Sequence, residues 1–90
     1  MDDLQGLLKC LGRKGAMQIL GALTHTKELN FNALAKKVGY SVTADRILRD
    51  CSSHGLIMKR ELKDRLGTVK YSLTEKGLRV ASILEQMRKA

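Results

Sequence analysis

The sequence predicts a small α+β domain that is mainly α-helical and carries one small β-hairpin. Its 90 residues can bury one hydrophobic core, so we expect a single domain over residues 1–90. Most apolar residues recur at the spacing of one helix face. Two segments in the second half of the chain alternate as strands do, which predicts a hairpin before the last helix.

Two helical segments are predicted at the start of the chain. The first covers residues 2–11 and has a leucine stripe on one face, at Leu4, Leu7, Leu8 and Leu11. Gly12 and Gly15 interrupt this pattern. The same spacing restarts at Ala16 and continues to about Thr24, either as a second helix or as a kinked continuation of the first.

The next segments predict a helix-turn-helix. Asn30 suits the N-cap of a helix over residues 31–38, which Gly39 ends. After a short link over residues 40–42, a second helix is predicted from Thr43 onward, with Gly55 closing it. Residues 28–30 precede the first of these helices. This segment is too short to assign, and the sequence leaves open whether it forms a small strand.

The hairpin is predicted from strands over residues 56–62 and 69–73, with Gly67 supplying a positive φ in the turn. Thr74 then caps a last helix over residues 75–88. The apolar stripe of this helix consists of Val80, Ile83, Leu84 and Met87.

The chain is strongly basic. It has 17 Lys and Arg against 9 Asp and Glu, a net charge of +8 and a pI near 9.9. Such a balance favours a polyanionic partner, and nucleic acid is the leading candidate. An anionic lipid surface, or charge that serves only solubility, remains an alternative.

The second helix of the helix-turn-helix has an outward face opposite its buried side. Two of its arginines can clamp phosphates or pair with guanine, and hydroxyls at its start can bind phosphate. The predicted DNA contacts on this helix are Ser41, Val42, Thr43, Arg46, Arg49 and Ser53. The alternative is that the arginines are solvated and neutralised by Asp45 and Asp50.

The hairpin is more basic than that helix. Residues 56–70 contain five Lys and Arg against two Asp and Glu, whereas residues 41–55 contain two of each. The predicted DNA contacts of the hairpin are Arg60, Lys63, Arg65, Thr68 and Lys70. Lysines that protect strand edges from aggregation are the alternative, but a turn tip such as Arg65 has no edge to protect.

Other chemistry has little support in the sequence. Cys10 and Cys51 form no CxxC pair, and with His25 and His54 they are too few for a closed metal site, so we expect no metal and no cofactor. No nucleophile and base are suitably spaced, so we expect no enzyme. The acidic start and the short apolar runs predict no signal peptide and no membrane segment, hence a cytoplasmic, nucleoid-associated protein.

Three segments, "LNFNALAKKVG", "RILRDCSSHGLI" and "VKYSLTEKG", resemble the winged-helix transcription regulators, especially the HxlR-type and MarR-type branches. The similarity extends from "LLKCLGRKGAMQIL" over nearly the whole chain. It implies a winged helix-turn-helix with extra N- and C-terminal helices. It also implies that residues 43–53 lie in the major groove, that residues 63–68 form the wing, and that a homodimer binds a roughly palindromic operator.

The resemblance does not supply an effector. Some HxlR-type proteins carry a redox cysteine well before the first helix, and Cys10 does not match that position. The two terminal stripes exceed what one winged helix must bury, which predicts a dimer seam on residues 2–11 and 75–88. The alternatives are that both terminal helices fold onto their own core, that the chain is a protein-interaction module, or that it coats DNA without sequence preference.

Overall fold

The computed structural model describes residues 2–90, with side chains from Leu4 onward, and Met1 lies outside the described residues. Its elements in chain order are α1 (Asp2–Leu11), α2 (Ala16–His25), β1 (Leu29–Asn30), α3 (Phe31–Val38), α4 (Ser41–Ser53), β2 (Ile57–Glu61), β3 (Val69–Leu73) and α5 (Glu75–Lys89). The predicted fold class, mainly helical with a small hairpin, is confirmed.

The first two segments are separate helices, as one of the two interpretations of the sequence predicted. Gly15 lies between them with a φ of 99°. A Cβ atom on Gly15 would stand 3.0 Å from side-chain carbons of Ile47 and Val38, so this tight turn also needs the missing side chain.

The helix-turn-helix consists of α3 and α4. Asn30 caps α3, because its side-chain oxygen accepts a hydrogen bond from the Ala33 N–H at 2.9 Å. Gly39 ends α3 with a φ of 102°. Both features confirm the prediction.

The predicted start of α4 at Thr43 is wrong by two residues. The helix begins at Ser41, and the N-cap is Tyr40, whose side chain makes no capping hydrogen bond. Ser41 and Val42 therefore belong to the first turn of the helix and not to the link.

The sheet has three antiparallel strands in the order β1-β3-β2. The strand left open at residues 28–30 is present as the two-residue β1, where Leu29 pairs with Tyr71 and Asn30 pairs with Lys70. In the hairpin, Ile57 pairs with Leu73 and Glu61 with Val69. The wing is thus attached to the segment that leads directly into α3.

The core lies between the helices and one face of the sheet. The face of α4 predicted to be buried is buried, and so is that of α2. The buried residues of these two helices are Ala16, Ile19, Leu20, Leu23, Ala44, Ile47, Leu48 and Cys51.

The last helix packs closely against Gly55 and Leu56, which lie between α4 and β2. Thr74 caps α5, since its hydroxyl accepts from the Gly77 N–H at 3.0 Å while donating to the Gly55 carbonyl. A Cβ atom on Gly77 would overlap the carbonyl oxygen of Leu56. Only glycine therefore allows this approach. Within the described residues, the helices are too short and too polar for one of them to cross a bilayer.

Candidate nucleic-acid interface

The outward face of α4 is the face that the sequence predicted. Val42 is 67% exposed, and Arg46, Arg49 and Ser53 are also exposed. Ser41 is exposed and Thr43 is half-buried in the first turn. The intrahelical bonding of this turn begins with the Ala44 N–H, which donates to the Tyr40 carbonyl at 3.0 Å. The preceding N–H groups of the first turn point out of the helix end, where anions are favoured.

The two arginines of this face differ in their surroundings. Arg49 Nε lies 2.9 Å from Asp45 Oδ2, one turn earlier on the same helix. No described carboxylate forms an ion pair with Arg46. The alternative in which aspartates neutralise the arginines of α4 therefore holds for Arg49. The charge of Arg46 has no such partner among the described residues.

A shallow cleft of about 330 Å³ adjoins the start of α4. It is lined by Arg13, Lys14, Thr43, Arg46 and Ile47. Arg13 and Lys14 come from the turn between α1 and α2, and they did not appear among the predicted contacts. The available signal was their position between two turn glycines, which places adjacent basic side chains on an exposed turn.

Asp50 connects that turn to α4. Arg13 Nε donates to Asp50 Oδ2 at 2.8 Å, and this bond raises the pKa of the Arg13 guanidinium. His54 Nε2 lies 3.6 Å from the other carboxylate oxygen. Ser53 Oγ donates to the Asp50 carbonyl at 2.7 Å, so this predicted DNA contact is tied to its own helix.

The wing tip is an ordered turn. Asp64 Oδ1 accepts from the Leu66 and Thr68 N–H groups, each at 3.1 Å, and the Leu62 N–H donates to the Thr68 carbonyl at 2.7 Å. The bond from the Thr68 backbone is the main reason that the pKa of Asp64 is lowered. Gly67 has a φ of 61°, as predicted.

The predicted contacts of the wing fall into three groups, at the tip, on the return strand and, for Arg60, at the base. Lys63 and Arg65 are exposed at the tip, and no described carboxylate pairs with them. Thr68 and Lys70 are half-buried on the return strand. The tip side chains are thus the ones that the fold presents outward.

Arg60 is held at the base of the wing. Its Nη2 and Nε atoms donate to the two Glu28 carboxylate oxygens at 2.8 and 3.1 Å. This two-bond pairing is the main reason that the pKa of Glu28 is lowered. Arg60 therefore joins β2 to the residue that precedes β1.

Each terminal stripe is divided between two environments. Leu7, Leu11, Val80 and Leu84 are half-buried and pack against the core of their own chain. The outer members are exposed: Leu4 61%, Leu8 58%, Ile83 56% and Met87 67%. An open groove of about 740 Å³ lies between α2 and α5, and the described residues that line it include no Phe, Tyr or Trp.

The two cysteines meet inside the protein. Cys10 Sγ and Cys51 Sγ are 3.2 Å apart, both residues are fully buried, and burial raises the pKa of each thiol. The described residues contain no cluster of three His, Cys, Asp or Glu side chains that could hold a metal ion.

The HxlR-like helix-turn-helix family matches residues 10–90, which is nearly the whole chain. The chain belongs to the HxlR-like helix-turn-helix family. The matched segment begins at Cys10 in the last turn of α1 and includes the α1–α2 turn, the helix-turn-helix, the wing and α5. No curated protein sequence matches this HxlR-like chain.

Solved structures share its fold at low sequence identity. The homodimeric winged helix-turn-helix DNA-binding domain of Mb0332 from Mycobacterium bovis, a possible ArsR-family regulator, is similar with a TM-score of 0.81 and 23% identity, covering 98% of this chain and 80% of that one. The reduced form of the transcriptional regulator YodB from B. subtilis has a TM-score of 0.81 and 17% identity, with coverages of 94% and 84%. MepR in its DNA complex from S. aureus has a TM-score of 0.79 and 19% identity, with coverages of 94% and 71%.

Proposed function

We propose that this HxlR-like protein is a sequence-specific regulator of transcription that binds double-stranded DNA as a homodimer. In this proposal α4 enters the major groove and the wing, formed by β2, β3 and the turn between them, contacts the backbone or the adjacent minor groove. The observation that carries it is that Arg46 on α4 and both Lys63 and Arg65 on the wing tip are exposed.

The cleft beside α4 supports a phosphate contact. Arg13, Lys14 and Arg46 line this cleft together with Thr43, and Lys14 and Arg46 form no ion pair with a described carboxylate. Phosphate contacts from such groups fix the orientation of a protein on the duplex, while base contacts supply the sequence preference. Arg13 also remains paired with Asp50, which holds its guanidinium in place.

The homodimer is supported by the exposed apolar side chains of α1 and α5, namely Leu4, Leu8, Ile83 and Met87. The similar Mb0332 domain is homodimeric, and the similar MepR was solved with DNA. A symmetric pair would present two α4 helices to major grooves one helical turn apart, about 34 Å. The chain would perform no covalent chemistry and would act on the nucleoid in the cytoplasm.

The test measures binding of the full chain to a random-sequence duplex by fluorescence anisotropy in 50 and 200 mM salt. About six phosphate contacts per dimer predict a loss of affinity on the order of 10³-fold across that range. Affinity that hardly changes with salt would contradict DNA as the ligand and favour a protein partner.

A second measurement addresses sequence specificity. Bound duplexes selected from a random pool should converge on two inverted half-sites whose centres are about 10 bp apart. A salt-dependent protein that enriches no sequence would be an architectural DNA-binding protein instead.

A further inference from the structure

We propose that Val42 recognises the C5-methyl group of a pyrimidine, that of thymine in ordinary DNA, at one position of each half-site. This inference rests on the proposed function and adds the identity of one base contact and of the residue that makes it. Tyr40, two positions earlier at the N-cap of α4, is also exposed but is not needed for this contact.

The observation is an apolar side chain where the fold gives it no partner. Val42 is 67% exposed and Tyr40 is 72% exposed, and neither belongs to the core. The outward face of α4 is otherwise polar, with Arg46, Arg49 and Ser53. Val42 is thus the apolar member of the face proposed to meet DNA.

The position of Val42 on the helix matches a base contact. In helix-turn-helix proteins the N-terminal residues of the second helix reach the base edges. Val42 lies in the first turn of α4, and Arg46 follows it at i+4, so the two side chains are neighbours on one row. A major groove offers an apolar group only at the C5-methyl of thymine, whereas its other edge groups are hydrogen-bond donors and acceptors.

The surroundings favour DNA over a protein partner for Val42. One exposed apolar side chain is far smaller than the several hundred Å² typical of protein contact sites. Ser41 and Thr43 flank Val42 in sequence, and the basic cleft of Arg13, Lys14 and Arg46 adjoins Thr43. An apolar spot edged by cations and hydroxyls complements a methyl group in a groove lined by phosphates.

The experiment begins with the duplex selected from the random pool. Each thymine is replaced in turn by 2′-deoxyuridine, which removes the methyl group and keeps the hydrogen-bonding edge. For the parent protein we expect one thymine per half-site at which this change weakens binding about threefold to fourfold, the effect of one buried methyl-sized group.

The same replacements are then measured with V42A. At the thymine identified with the parent, V42A should show a smaller difference between the thymine and uracil duplexes than the parent does. The matched control is M17A, which shortens an exposed apolar side chain on α2, outside the helix-turn-helix and the wing, and should keep the full difference. Thermal unfolding of both variants checks that the fold is retained, which the exposure of both side chains favours.

A third arm separates the methyl group from the rest of the base. At the identified position, a 5-methylcytosine·guanine pair should bind the parent about threefold more tightly than a cytosine·guanine pair. Equal affinities would show that the polar edge of thymine is recognised and would overturn the inference.

Two further outcomes would overturn it. One is a selected duplex in which no thymine shows a uracil penalty, and the other is a uracil penalty that is as large in V42A as in the parent. Both leave the proposed function intact, because the duplex was selected. A pool without enrichment contradicts sequence specificity itself, and the inference about Val42 then fails with it.

Discussion

Cys10 Sγ lies 3.2 Å from Cys51 Sγ, although 41 positions separate the two residues in the chain. The contact joins the last turn of α1 to the buried side of α4. Both thiols are fully buried, and either can donate a hydrogen bond to the other. In this arrangement the cysteines act as small apolar side chains that fit α1 against the helix proposed to read DNA.

The first prediction concerns the reactivity of these thiols. Since burial raises the pKa of both, the nucleophilic thiolate is scarce in the folded protein. Iodoacetamide should therefore modify the native chain far more slowly than the chain in urea, as followed by mass spectrometry. Modification at equal rates in the two states would contradict the buried contact.

The same thiols predict a pH dependence of stability. The pKa of each thiol is higher in the folded than in the unfolded protein, where it is about 8.5. The stabilisation that the buried thiols contribute is therefore complete below about pH 8.5 and declines as the pH rises above it. The free energy of unfolding, measured with urea, should fall between pH 8 and 10. The fall should be shallower in C51A, which removes one of the two titrating groups, and an unchanged slope in that variant would exclude the thiols as its source.

The second prediction concerns Gly77. Because a Cβ atom there would overlap the Leu56 carbonyl, G77A should lower the free energy of unfolding by about 1 to 3 kcal/mol and Tm by about 4 to 20 °C. The control is G21A in α2, where an added Cβ meets nothing within 4 Å. Because alanine favours a helix interior over glycine, G21A should raise the free energy of unfolding by about 0.5 to 1 kcal/mol. Equal Tm values for the two variants would be inconsistent with the close approach.

The third prediction separates the tip of the wing from its base. R65A removes one contact from each subunit of the dimer, so it should weaken binding to all sequences and lower the slope of log affinity against log salt by about two. R60A should lower that slope less, because Arg60 is already paired with Glu28. Anisotropy titrations at several salt concentrations measure both slopes. A larger effect for R60A than for R65A would place the phosphate contact at the wing base.

The fourth prediction compares the two arginines of α4. Both R46A and R49A should weaken specific binding and relax specificity, by about 1 to 3 kcal/mol for a direct base contact. The loss should be smaller for R49A, since Asp45 competes for its guanidinium. D45N, which removes that competitor, should bind the selected duplex at least as tightly as the parent. Parent-like affinities for both alanine variants would show that α4 does not contact DNA as proposed.

The fifth prediction concerns assembly. A carboxylate placed in an apolar seam is buried without a partner, so L8E and I83E should convert a dimer into monomers. Sedimentation velocity at micromolar concentration measures the change. M58E places the same charge on an exposed residue of β2 and should remain dimeric. A parent protein that sediments as a monomer would refute the dimer.

Local features of the chain were predictable where short-range physics decides them. Asn30 and Thr74 have side chains that cap helices, and Gly39 and Gly67 adopt the positive φ that glycine favours. The start of α4 was missed because its N-cap, Tyr40, is not a residue type whose side chain caps helices, so the sequence carries no cap signal there. The buried faces of α2 and α4 followed from helical spacing alone.

Contacts between distant segments could not be predicted in the same way. The Arg13–Asp50 pair and the Arg60–Glu28 pair join residues 37 and 32 positions apart, and helical or strand periodicity carries no signal for them. The sequence offered Arg46 and Arg49 as equivalent for a different reason, because each has an aspartate four positions away on the same helix, Asp50 for Arg46 and Asp45 for Arg49. Only the observed ion pair with Asp45 distinguishes the two arginines.

Asn30 has two roles at once, and this has a consequence for DNA shape. Its backbone pairs with Lys70 in the inner wing strand, while its side chain caps α3. No linker therefore separates the wing from the helix-turn-helix, and the Glu28–Arg60 pair braces the same junction. Under the proposed docking, the fold sets the distance between α4 and the wing. A bound duplex must therefore adapt its groove width to that distance. The sequence of the base pairs between the contacts would then change the affinity, because stiff and flexible base steps deform at different cost, although no side chain touches those base pairs.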